Sequence, residues 1–110
     1  MSDVQTQIDE LVKGNPVVLF MKGTPAFPMC GFSARVVGIL KDIEVPFQAV
    51  NVLADPAVRE GIKQYGRWPT IPQLYVDGAL VGGCDITVEM HGRQELAPML
   101  RKAAEKVADA

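Results

Sequence analysis

The stretch "KGTPAFPMCGFS" (Lys22–Ser33) stands between the apolar run "VVLFM" (Val17–Met21) and a segment whose apolar residues recur at helical spacing. Five consecutive apolar residues read as a strand buried on both faces. After the stretch, Phe32, Val36, Ile39, Leu40 and Ile43 mark the buried stripe of a helix that starts near Gly31. Cys30 therefore falls where a strand gives way to a helix.

Working outward, Val4, Ile8, Leu11 and Val12 predict an N-terminal helix, opened by a capping box of Ser2 with Gln5 and stopped by Gly14, Asn15 and Pro16. Downstream, Pro46 opens a second strand, "FQAVNV". Asp55-Pro56 starts a helix, with Asp at the N-cap and Pro in the first turn, and Val58, Ile62 and Tyr65 follow on one face. "QLYV" and "ALVG" flank Asp77-Gly78, a strong hairpin signal. Asp85 is expected to cap one more short helical segment. Leu96, Leu100, Ala103, Ala104 and Val107 mark a last helix. The order α-β-α-β-α-β-β-α predicts an α/β fold. Its first two strands are parallel and its last two form a hairpin, giving a four-stranded mixed sheet flanked by helices. No repeat, low-complexity tract or linker divides the chain, so residues 1–110 are expected to form one domain.

The totals narrow the function. Apolar residues make up 48% and charged residues 22% of 110, as in ordinary globular proteins. The net charge of −2 argues against a nucleic-acid surface built on bulk charge. The longest apolar run is too short to span a bilayer. The acidic N-terminus "MSDVQTQIDE" has no apolar signal-peptide core and is not Arg-rich. A cytoplasmic protein is the expectation, with a mature mitochondrial form as the alternative. Two cysteines, Cys30 and Cys84, are too few for a disulfide scaffold, and with His91 they fall short of a four-ligand zinc site.

A thiol at a helix N-terminus faces unpaired backbone N–H groups and the positive end of the dipole, so the Cys30 pKa is expected to fall, with Lys22 adding positive charge. The alternative is a small buried hydrophobe. Ser33 stands where a C-x-x-C motif would carry its second cysteine. Cys30 cannot close a disulfide within that motif, and needs an external partner: another protein, a small thiol or a metal.

Together, "KGTPAFPMCGFS", "WPTIPQLYVDG" (Trp68–Gly78) and "LVGGCDI" (Leu80–Ile86), in this order, resemble a monothiol glutaredoxin of the CGFS type in its single-domain form. The resemblance covers Lys22 to Ile86 and implies a thioredoxin-like fold. It also implies a glutathione cradle. Lys22 and Arg59 hold the glycine carboxylate. A cis Ile71–Pro72 bond turns the backbone of Ile71 toward an extended peptide. The N–H groups of Cys84 and Asp85 take the γ-glutamyl carboxylate, and the Asp85 carboxylate takes the ammonium. Gly82 and Gly83 permit close backbone approach. Other readings stay open: Arg59 on a solvated helix face, Ile71–Pro72 in trans, and Asp85 as a cap alone. Cys84 either pairs with Cys30 or glutathione on oxidation or is inert. Trp68 is expected at the rim of the cleft and His91 on the surface.

Three functions follow. The resemblance implies an iron–sulfur carrier: Cys30 from each of two chains, with two glutathiones, supplies the four thiolates of a [2Fe–2S] cluster. Its implied partners are a second copy, a BolA-like protein and apo iron–sulfur clients, in cluster storage, transfer and biogenesis. The second function is a glutathione-dependent thiol-disulfide oxidoreductase working through Cys30, a reaction at which the CGFS group is generally poor. The third is an interaction domain with an incidental cysteine.

Overall fold

The computed structural model describes residues 3–108. In chain order the elements are α1 (Asp3–Gly14), β1 (Val17–Met21), α2 (Gly31–Ile43) and β2 (Gln48–Asn51). A 3-10 turn (Val52–Ala54) leads to α3 (Pro56–Gly66), the hairpin β3 (Gln73–Val76) and β4 (Ala79–Gly82), then α4 (Cys84–Gly92) and α5 (Leu96–Ala108). The sheet order is β2-β1-β3-β4, with β1 parallel to β2 and antiparallel to β3. This is the expected mixed sheet.

The apolar run of β1 is the centre of the protein because both its faces are covered. Val17, Leu19 and Met21 pack with Val36, Val37 and Leu40 of α2 and with Leu96, Leu100 and Ala103 of α5. Val18 and Phe20 point the other way, among Ile8 and Val12 of α1 and Val58 and Ile62 of α3. The period-two alternation of a strand thus feeds two cores from one segment. Fully burying one such large side chain stabilises the fold by roughly 1.5–3 kcal/mol.

Local chemistry sets the ends of the elements. The Asp55 carboxylate accepts from the N–H groups of Ala57 and Val58, capping α3 as expected. Asp77 and Gly78 both have positive φ, 53° and 84°, the conformation of a two-residue type I′ hairpin turn.

Three expectations are corrected. Phe32 is 62% exposed and lies outside the core. The inward stripe of α2 is instead Ser33, Val36, Val37, Leu40 and Ile43, with Ile39 only half-buried. Ser33 continues that face at regular helical spacing, and its Oγ accepts the Lys22 N–H at 3.1 Å, tying α2 to the end of β1. The second strand is shorter than "FQAVNV". Its end is set by the Asn51 side chain, which accepts from Leu53 N–H and Gly23 N–H and turns the chain into the 3-10 segment. Asp85 is not a cap: Gly83 is the N-cap of α4, and Asp85 lies in its first turn. Ser2 and the side chain of Val107 lie outside the described residues.

Candidate functional site

Several element ends meet at one end of the sheet. Cys30 is the N-cap of α2, with extended backbone (φ −152°, ψ 134°). Lys22 follows β1, and its carbonyl accepts the Met29 N–H at 2.9 Å. That bond folds the loop back, so the residue before Cys30 is anchored to the strand. Arg59 sits on α3, the segment from Trp68 to Pro72 enters β3, and Gly83, Cys84 and Asp85 open α4.

These pieces line a cleft of about 490 Å³, within the range of small-molecule sites. Lys22, Cys30, Arg59, Ile71, Cys84 and Asp85 all border it, as does Trp68. The Ile71–Pro72 peptide is cis. Gly83 packs so that a Cβ there would lie 3.3 Å from both the Pro72 carbonyl oxygen and the Trp68 Nε1. The side chains of Lys22 and Arg59 have no ion-pair partner among the described residues. Two cations therefore border the cleft outside any ion pair, together with the Asp85 carboxylate.

Five lining residues lie outside the sequence expectations: Phe32, Lys63, Pro69, Thr70 and Ile86. Lys63 was legible, since it stands one helical turn after Arg59, although it pairs with Glu60 at 3.3 Å. Phe32 was misassigned to the core. With Phe27 (77% exposed) and Met29 (69%) it forms an apolar collar in the sequence around Cys30. His91 is half-buried, with Nε2 3.4 Å from Asp42 of α2.

The two thiols differ in kind. The Cys30 pKa is lowered, chiefly by the Ser33 backbone N–H; partial burial opposes this, while the Phe32 N–H, the Lys22 charge and the Ser33 hydroxyl assist. Cys30 is partly accessible. It is therefore a thiolate at lower pH than an ordinary cysteine, and so a better ligand and nucleophile near neutrality. Cys84 is buried, and desolvation pushes its thiol up, with Arg35 opposing in part. Ser33 thus has two roles: its oxygen accepts from Lys22, and its backbone and hydroxyl donors stabilise the Cys30 thiolate.

The glutaredoxin family model matches residues 17–81, from the first residue of β1 into β4. The chain belongs to the glutaredoxin family. Within it the similarity is to monothiol members. A chloroplastic monothiol glutaredoxin of rice (Oryza sativa subsp. japonica) is 52% identical over 92% of this chain and 60% of its own length. A mitochondrial monothiol glutaredoxin of Saccharomyces cerevisiae is 49% identical over 93% of this chain and 70% of its own length. This glutaredoxin chain thus spans less than two thirds of the rice relative. The crystal structure of a buckwheat glutaredoxin–glutathione complex superimposes with a TM-score of 0.81 at 26% identity, covering 91% of this chain and 89% of that one. The relatives of this monothiol glutaredoxin thus include both plastid and mitochondrial proteins. No helix among the described residues is long and apolar enough to cross a membrane.

Proposed function

We propose that this monothiol glutaredoxin binds glutathione in the cleft and carries a [2Fe–2S] cluster as cargo between two chains, serving cluster storage, transfer and biogenesis. The observation that carries the reading is the lone activated Cys30 thiol beside two unpaired cations, Lys22 and Arg59. Among the described residues no group of three or more His, Cys, Asp or Glu could hold a metal ion. With Cys30 partly accessible and Cys84 buried, one chain offers one accessible thiolate, and a cluster with four thiolate ligands needs the rest from elsewhere. A second copy and two glutathiones close that count.

In the cleft, Lys22 and Arg59 are placed for a carboxylate. The start of α4 offers the N–H groups of Cys84 and Asp85 to a second one. The Asp85 carboxylate takes the ammonium. The backbone of Ile71 pairs with the extended peptide as a strand edge would. The glutathione complex of the buckwheat relative supports the ligand. A BolA-like protein and apo iron–sulfur proteins are the proposed further partners.

Anaerobic reconstitution with iron, sulfide and glutathione tests the reading: a coloured dimer is expected. The lowered Cys30 pKa also favours a second reading, reduction of glutathione mixed disulfides. There the Cys30 thiolate attacks the glutathione sulfur and releases the client thiolate. A second glutathione, as its thiolate, then frees Cys30 and leaves as glutathione disulfide. Rapid turnover of a glutathionylated peptide by a chain that takes up no cluster would favour this reading.

Arg59→Ala is expected to shorten cluster lifetime without unfolding the domain. A charge-assisted hydrogen bond contributes about 1.5–3 kcal/mol, and extra glutathione should restore retention by mass action. An unchanged lifetime at low glutathione would remove Arg59 from the cradle. The dimer itself should depend on the cluster, so light scattering is expected to report dimer before iron chelation and monomer after. A dimer that persists without iron would place the chain–chain bond in a protein interface instead.

A further inference from the structure

Gln73 opens β3 and is fully buried, although an apolar residue is the ordinary occupant of a central strand. Its amide is completely engaged. Nε2 donates to the Trp68 carbonyl at 3.0 Å and to the Thr70 carbonyl at 3.2 Å, and Oε1 accepts from the buried Tyr75 hydroxyl at 2.9 Å. Both carbonyls belong to the segment that walls the cleft between α3 and β3. The same segment is held from its other side, where the Trp68 N–H donates to the Lys63 carbonyl at 3.1 Å. Trp68 is therefore clamped at both backbone groups, by the end of α3 and by Gln73. Gly66 leaves the room for this: a Cβ there would lie 2.8 Å from the Gln73 Oε1 and would collide with the Tyr75 hydroxyl.

Burying an amide costs free energy that an apolar side chain does not incur, unless its hydrogen bonds are made. Two of the three made here hold the cleft wall, and the third, from Tyr75, orients the amide that makes them. We propose that Gln73 is a positioning residue: it fixes the Trp68–Ile71 backbone so that Ile71 meets the ligand in register, and it thereby sets glutathione affinity. This rests on the glutathione reading above.

The chain has one tryptophan, Trp68, so its fluorescence reports on this wall directly. Gln73→Met keeps an unbranched side chain of similar length and removes both donors. Acrylamide quenching of Trp68 in the apo protein is expected to rise about twofold, and affinity for S-methylglutathione, which cannot form a disulfide, to fall about tenfold. Tyr75→Phe keeps the donors but frees Oε1, so a smaller rise in quenching is expected. A methionine variant that melts earlier but keeps wild-type quenching and affinity would overturn the proposal, because Gln73 would then only fill space. If wild-type protein does not bind the probe while quenching still rises, the glutathione reading fails and the clamp stands. Should the methionine variant not fold, Gln73→Glu decides, since it keeps the acceptor for the Tyr75 hydroxyl and loses the Nε2 donors: unchanged quenching there overturns the clamp.

Discussion

Cys30→Ser is expected to abolish cluster binding outright, whereas Cys84→Ser should leave most of it. A serine hydroxyl does not ionise near neutral pH, and oxygen is a poor substitute for a thiolate toward iron–sulfur cargo. The two sites also differ in pH dependence. The Ser33 N–H, with the Phe32 N–H and Lys22, lowers the Cys30 pKa, so its thiolate persists as pH falls below the ordinary cysteine range. Burial raises that of Cys84, so its thiolate appears only at higher pH. Alkylation by iodoacetamide at neutral pH should therefore label Cys30 first, with the rate falling as pH drops through its lowered pKa. Cys84 should react slowly until alkaline pH. Equal loss of chromophore in the two serine variants, or coincident alkylation profiles for the two thiols, would sink the assignment of Cys30 as the ligand.

Gly23→Ala should both destabilise the domain and disarm the thiol. Gly23 has φ +92°, a region an L side chain rarely adopts, and a Cβ there would lie 2.5 Å from the Phe27 carbonyl oxygen and 2.6 Å from the Met29 nitrogen. Both are backbone atoms, which cannot swing aside as a side chain would. The Met29 N–H donates to the Lys22 carbonyl, and the Gly23 N–H donates to Asn51 Oδ1 at 2.9 Å. Relief of the clash would break the turn that delivers Cys30. Strain and overpacking together cost roughly 2–4 kcal/mol, and on a domain of this size that lowers the melting temperature by about 10 °C or more. Gly38→Ala is the matched control. It lies inside α2 with nothing within 4 Å of an added Cβ, and should stabilise by up to about 1 kcal/mol. Thermal melts and the Cys30 alkylation rate measure both effects. A Gly23→Ala protein that melts and reacts like wild type would show that the loop geometry is not required.

The collar around Cys30 shows where one-dimensional reading stops. Phe32 fits a helical stripe with Val36, Ile39, Leu40 and Ile43, and apolarity alone places it inside. One residue on, Ser33 goes inside instead: it continues the face of Val36, Val37, Leu40 and Ile43 at regular helical spacing, and the Lys22 N–H satisfies its buried oxygen. A stripe counted on apolar residues cannot register a buried hydroxyl. The missed lining residue Lys63 is a different case, since its spacing from Arg59 was visible and only the cleft gives that spacing a meaning.

The sequence by itself determined the elements and their order. Continuous apolarity made β1 central, Asp55-Pro56 started α3, and Asp77-Gly78 closed the hairpin, because each signal is local and acts through backbone geometry within a few residues. It also marked Cys30 as a thiol at a helix mouth, since a strand, a loop and a helix in succession suffice for that. Only the tertiary structure decided which ends converge. The ends of β1 and α2, the face of α3, the approach to β3 and the start of α4 come together because the alternating side chains of β1 pack two layers of helices onto one sheet. The buried amide of Gln73, the inward Ser33 and the separate fates of the two thiols arise from that packing. Burial and hydrogen bonding act between residues distant in the chain, and no local pattern encodes them.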